Sequence, residues 1–161
     1  MSVLDAITGR RNIKAFKPDA IREKDVRAWL AAASYAPNHR MTEPWRVLFV
    51  GPETRGRLKH KTDFGGAPLV IAIFSKSATT ALERDENVMA TACFVQNFML
   101  AAHEAGAGTF WSSLGAAAHN REILGASESE DVIGLFGIGY PAEIPAVKPR
   151  TPIEDKITSL P

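Results

Sequence analysis

Apolar residues recur three and four apart in VLDAI (3–7), a spacing that predicts a short helix running into the polar cluster GRRNIK (9–14). Pro18 and Asp19 carry helix-start chemistry, and Ile21, Val26, Trp29, Leu30 and Ala33 form one apolar face of a second helix behind them. SYAPNHRMTEP (34–44), with two prolines and short polar residues, ends that helix in a loop. WRVLFVG (45–51) and PLVIAIF (68–74) are apolar without alternation, the pattern of strands covered on both faces. Between them, PETRGRLKH (52–60) reads as a short helix or turn.

The longest predicted helix runs from about Asp85 to Ala105 and is apolar on most of its circumference, through Val88, Met89, Ala92, Cys93, Phe94, Val95, Phe98 and Met99. Such a helix must be surrounded, by its own domain or by a second subunit. GAGTFWSSLGA (106–116) follows as a glycine-rich loop or short strand, then a helix over 117–124, then DVIGLFGIGYP (131–141) as a glycine-punctuated strand. The tail from Glu143 holds four prolines and few adjacent apolar residues, which predicts a disordered segment or one extended across another surface. No repeat or linker divides the chain, so residues 1–161 read as one α+β domain, a small sheet flanked by helices.

A hydrophobic share of 45% and a charged share of 23% exclude wholesale disorder and fibrous repeats. Cys93 is the single cysteine, so no internal disulfide is available, and a reducing, cytoplasmic setting is expected. No apolar stretch approaches the roughly 20 residues of a membrane span, and no membrane partner is expected. Residues 1–62 carry 13 of the 19 Lys/Arg and 6 of the 18 Asp/Glu, a charge of +7, and the remainder carries −6. A basic third attracts phosphates or, equally, covers a solvated helical face.

Several familiar sites are excluded. The GAG at 106–108 follows a helix instead of a strand and lacks the later glycine and acid of a dinucleotide fingerprint. There is no Walker A sequence, Ser113 in WSSLG lacks the glycine of a nucleophile elbow, and no HExxH occurs. His60, His103 and His119 read as ordinary surface or packing residues, and Cys93 as a buried, inert thiol. Glu83, Asp85 and Glu86 suit the dipole of the long helix. The basic third has no aromatic interleaving, so no nucleic-acid partner is expected.

What remains is a set of cations. Arg10 and Arg11 can fork onto phosphate oxygens, Asn12 offers an amide donor and acceptor, and Lys14 reaches a second electronegative group. Near the other end, Lys148 and Arg150 flank the stiff Pro149. On residue chemistry alone, surface charge explains either cluster as well as a phosphate does.

RRNIKAF (10–16), APNHRMTEPWRVLFV (36–50), AGAGTFWSS (105–113) behind a long apolar helix, and AVKPRTPIED (146–155) resemble, in order and spacing, the nitroreductase family of FMN-dependent oxidoreductases. APNHRMTEPW resembles especially its small, minimal members. The resemblance implies a three-layer α+β sandwich with a small, mixed, mainly antiparallel sheet. It also implies a homodimer with flavin sites at the interface and a tail, about 144–161, packed on the partner. By resemblance, Arg10 and Arg11 lie on the phosphate and ribityl side, Lys14 at the pyrimidine edge, and Asn12 hydrogen-bonds polar flavin groups. Asn38, His39 and Glu43 border the flavin from the other subunit, Trp111, Ser112 and Ser113 run along its reactive edge, and Lys148 and Arg150 bind phosphate. Trp45 is expected to pack the start of a core strand.

The implied activity is ping-pong hydride transfer from NAD(P)H through flavin N5 to nitroaromatic, quinone or enone acceptors, with no side-chain acid or base required. Two positions depart from the family pattern: Asn12 stands where serine is commonest, and Glu43 replaces the usual glutamine, adding negative charge. The short segment 76–84 leaves little room for a substrate-covering helix. Two other readings remain at this stage, a non-reductive flavin binder or carrier of the same fold and a small structural or nucleic-acid-associated domain.

Overall fold

The computed structural model describes residues 1–160. In chain order it runs α1 (Val3–Gly9), α2 (Glu23–Ala33), β1 (Trp45–Phe49), α3 (Pro52–Arg57), a four-residue turn α4 (Asp63–Gly66), β2 (Leu69–Lys76), α5 (Ala81–Glu104), β3 (Gly108–Ser112), α6 (Ala118–Ile123) and β4 (Glu130–Gly139). Short 3-10 turns lie at His39–Met41, Leu114–Ala116 and Ile153–Lys156. The strands are ordered β1-β2-β4-β3, and each neighbouring pair is antiparallel. A single parallel bridge, Asn12 to Thr109, makes the sheet mixed and mainly antiparallel, as expected.

The unbroken apolar run of β2 follows from burial on both sides. Ile71 and Ile73, with Phe136 and Ile138 of β4, turn to the face covered by α2 and α5. Val70, Ala72 and Phe74, with Leu135, turn to the opposite face, filled by Ile13, Phe16, Leu58, Phe64 and Leu124. The result is the expected three layers. Trp45 stacks on Phe94 at 4.9 Å, at the start of a core strand.

Two helices begin elsewhere than periodicity indicates. α5 starts at Ala81, where the Thr80 hydroxyl accepts the Glu83 N–H, so only residues 77–80 separate it from β2. α2 starts at Glu23 instead of Pro18, with Arg22 extended as its N-cap and Ile21 ahead of it buried in the core. The expectation of a buried Cys93 is overturned. The buried stripe of α5 is Thr91, Phe94, Val95, Phe98, Met99 and Ala102, and Cys93 lies off it, exposed like Met89.

The turn from His60 to Gly66 is held by side chains. His60 Nδ1 accepts the N–H groups of Thr62 and Phe64, its ring stacks on Phe64 at 4.1 Å, and Arg55 bonds both Asp63 and the Ala67 carbonyl. Burial lowers the His60 pKa, which keeps Nδ1 free to accept. Gly65 sits at φ +70, and a methyl group there would overlap the Lys14 carbonyl. Across the sheet, Arg46 of β1 forks onto Glu130 of β4 and lies over the Phe74 ring. That guanidinium, with Ser127, holds the Glu130 carboxyl down at about 2, from an ordinary 4.5.

The tail beyond Pro141 is extended and exposed but for its 3-10 turn. Among the described residues no helix is long and apolar enough to cross a membrane, and no cluster of His, Cys, Asp or Glu is placed to hold a metal ion.

Gly65→Ala is expected to lower unfolding free energy by on the order of 3 kcal/mol, from left-handed strain plus overlap, measured by urea denaturation. Because the folded Glu130 pKa is depressed, its contribution is complete above about pH 4.5 and is lost as pH falls toward 2. Glu130→Gln therefore costs about 1–2 kcal/mol at neutral pH, and flattens the pH-dependence of stability in that acid window.

Candidate functional site

α1 is closed at its start by the reciprocal bonds of Ser2 and Asp5, and at its end by the Arg10 N–H donating to Ala6. The chain then lies alongside β3: Ile13 N–H donates to Thr109 O at 2.9 Å, and Trp111 N–H donates to Asn12 Oδ1 at 3.0 Å. Ile13 turns into the core, Arg10 and Arg11 are half-buried, and Lys14 is exposed.

Arg10 and Arg11 border a 220 Å³ cavity between the ends of α1 and α5, where Met99, His103, Thr109 and Ile144 also line it. No carboxylate belongs to its lining. Arg10 Nε is buried and has no hydrogen-bond partner. Burial, then Arg11, then Arg150 lower the Arg10 pKa, so the tail's guanidinium lies within electrostatic reach of α1's end. Arg150 also donates to the Lys148 carbonyl.

Four other arginines of the basic third meet carboxylates, Arg22 with Asp25, Arg27 with Glu23, Arg46 with Glu130 and Arg55 with Asp63, and Arg40 and Arg57 lie away from the cavity. Among the described residues Arg10 and Arg11 pair with no carboxylate, and Arg11 turns to the carbonyls of Thr8 and Arg10. A buried donor without a partner costs about 1–3 kcal/mol. Converging cations around one answer chemically to an anion with several oxygens, and a phosphate fits that donor set.

Trp111 has a built seat. An irregularity in the β2–β4 register leaves Ile133 without a partner residue on β2, and its carbonyl accepts the Trp111 indole N–H at 3.2 Å. Gly134 leaves room for the indole, which a methyl group would strike, and the ring lies 5.2 Å from Phe136. Bulges of this kind re-aim side chains beside functional sites. Trp111 stays 40% exposed. Beyond it, Ser112 Oγ accepts the Leu114 N–H and Ser113 begins the Leu114–Ala116 turn.

The loop of Asn38, His39 and Glu43 lies elsewhere. Asn38 Oδ1 accepts the Glu43 N–H and its amide donates to Ala36, locking the loop. Arg40, Met41 and Glu43 all have positive φ, at 52, 54 and 42°. His39 and Arg40 border an open groove of 1130 Å³ with Lys76, Leu82, Glu83 and Glu86, which shares no lining residue with the Arg10 cavity.

Residues 7–62 and 53–140 match the family model of the nitroreductase family. The chain belongs to the nitroreductase family. A Bacillus subtilis protein named "Putative NAD(P)H nitroreductase YfhC" is 32% identical, over 97% of this chain and 93% of that one. Among solved structures, a nitroreductase-like family protein from Bacillus cereus has a TM-score of 0.90 at 28% identity, over 99% of this chain and 96% of that one. A structure titled as a putative nitroreductase in complex with FMN, from Exiguobacterium sibiricum, shares the fold at 17% identity, with a TM-score of 0.88 and coverage of 99% and 98%.

Within this nitroreductase fold, Arg10, Arg11 and Arg150 are brought together, with Lys148 tied to Arg150, and Asn12 is bonded to the Trp111 backbone. Asn38, His39 and Glu43 are not joined to them within one chain. His103, set aside by sequence reasoning, lines the Arg10 cavity. Its signal was its place on α5, four residues after Met99 and just before the GAG turn.

Asn12→Ala is expected to cost about 1 kcal/mol, and to speed hydrogen exchange at the Trp111 amide more than at its β3 neighbours.

Proposed function

We propose that this chain is an FMN-dependent NAD(P)H oxidoreductase acting on nitroaromatic, quinone or enone acceptors as a homodimer. The observation that carries the reading is the buried, unpartnered Arg10 Nε in a cavity bordered by cations and by no carboxylate. Arg10 and Arg11 grip the phosphate, and Lys148 and Arg150 close on it from the tail. At 220 Å³ the cavity is smaller than the roughly 300–1,000 Å³ that encloses a whole small ligand. It suits the phosphate end, with the ring lying outward along Trp111, Ser112 and Ser113.

When bound, FMN supplies the redox chemistry, taking a hydride from NAD(P)H and passing the electrons to the acceptor. Lys14, exposed beside the cluster, sets positive charge at the pyrimidine edge, where negative charge grows on reduction. Asn12 fixes residues 10–14 against β3. No side-chain acid is needed, since water supplies the proton.

The second subunit is supported by the separation of the two half-sites. Three non-glycine residues at positive φ, each costing about 1–3 kcal/mol, mark the 38–43 loop as shaped for contact, and in a dimer it borders the partner's flavin. Exposed Val3 and Leu4 on α1, Leu82 and Met89 on α5, and Ile153 and Ile157 in the tail supply apolar surface for that partner.

Purified protein mixed with FMN is expected to keep a 350–500 nm absorbance band through gel filtration and to bleach with NADH or NADPH. A protein that stays colourless overturns the reading, and retained flavin without nicotinamide oxidation marks a non-reductive binder. Arg10→Ala is expected to weaken FMN binding about 30- to 100-fold, for a lost charge-assisted contact of about 2–3 kcal/mol, while riboflavin affinity changes little.

A further inference from the structure

We infer that His103 is a further member of the phosphate seat and takes up a proton as a phosphate monoester binds, so that flavin-nucleotide affinity is coupled to pH. The inference rests on reading the Arg10 cavity as the seat of the FMN phosphate.

His103 stands on the last turn of α5, and both it and Met99 line the cavity with Arg10 and Arg11. Its imidazole lies against the end of α1, where a methyl group on Gly9 would stand 3.1 Å from Nε2. Gly9 thus admits the ring to the backbone that carries Arg10. The orphaned Arg10 Nε shows that this wall of the cavity lacks an acceptor.

The charges facing the imidazole are nearly all positive. The end of α1 presents Arg10 and Arg11, the tail presents Arg150 through its effect on Arg10, and the residue Met1 completes the lining. The other lining residues, from 106–109, Pro141 and Ile144, carry no titratable side chain. On α5 itself Glu104 borders a different groove, with Ser2, Ala32 and Leu100.

Without ligand, burial and then Arg10 and Arg11 lower the His103 pKa, and the ring is neutral at pH 7. A dianionic phosphate offsets that positive field and accepts a charge-assisted hydrogen bond from the imidazolium. The bound pKa therefore exceeds the free one. Between the two values affinity tightens as pH falls, and above the bound value the dependence vanishes because the ring is neutral in both states. The phosphate's own second ionisation, near about 6, is common to wild type and variant and cancels in their comparison.

The test is FMN affinity, read by flavin fluorescence quenching from pH 6.5 to 8.5, for wild type and His103→Gln, with riboflavin as the phosphate-free ligand. Wild type is expected to bind FMN about 5-fold more tightly at pH 6.5 than at 8, below the tenfold-per-unit ceiling of one coupled proton. His103→Gln is expected to lose that gain, and riboflavin to show none with either protein. Proton NMR of the His103 ring in wild type, which needs no variant to fold, is expected to show its titration midpoint rising by about one unit or more with FMN. An unmoved midpoint, or an unchanged pH slope in His103→Gln, overturns the inference and leaves the flavin site standing. FMN binding by neither protein overturns both.

Discussion

Residues 12–16 are pinned from two sides, and the site depends on that pinning. Ile13 N–H bonds β3 through Thr109, and Phe16 N–H bonds the 60–66 turn through Gly65. Ile13 and Phe16 are buried at 3% and 9% exposure, and burial of each side chain contributes about 1.5–3 kcal/mol. Together these exceed the roughly 1–3 kcal/mol lost by leaving one buried donor without a partner. The scaffold can thus hold Arg10 in an unfavourable place with no ligand present, which is what preorganisation requires. The same support runs back through His60 and Arg55, which shape the turn but touch nothing in the cavity.

Charge sorting completes the picture. Half of the arginines in the basic third meet a carboxylate placed for them, by i,i+3 or i,i+4 spacing at α2, by contact with Asp63, or by long-range contact to β4. Among the described residues Arg10 and Arg11 pair with no carboxylate, and the tail adds Arg150 to the same neighbourhood. Within that third, with its net charge of +7, Arg10 and Arg11 are set apart by sharing the 220 Å³ cavity, which no carboxylate lines.

Much of this was legible in the sequence because its cause is local. β2, buried on both faces, announces itself as an unbroken apolar run, whereas β1, read the same way, is a half-buried edge strand with Arg46 exposed, and β3 was legible only as a loop or short strand. RRNIK was readable as a cation cluster, and the family resemblance extended it to the tail. Other features arise only from contacts distant in sequence. The late start of α2 goes with the burial of Ile21 in the core, the seat of Trp111 depends on an irregularity at Ile133, and the exposure of Cys93 on which stripe of α5 the sheet selects. His103 was set aside because its place just before the GAG turn was visible but the approach of that end of α5 to Arg10 was not. That the 38–43 loop and the arginine cavity are separate in one chain is likewise a property of the folded shape.

The four-residue join of β2 to α5 has a consequence for how such a protein diversifies. It lies beside the large open groove, where residues 77–80 form part of the lining. The entropy of closing a flexible loop grows by only about 0.6 kcal/mol for each doubling of its length. Extra chain spliced into this join would roof the groove while leaving both packed faces of the sheet and the arginine cavity intact. The length of this join is thus mechanically decoupled from the packing of the core, and the cover of the groove can change without disturbing the fold.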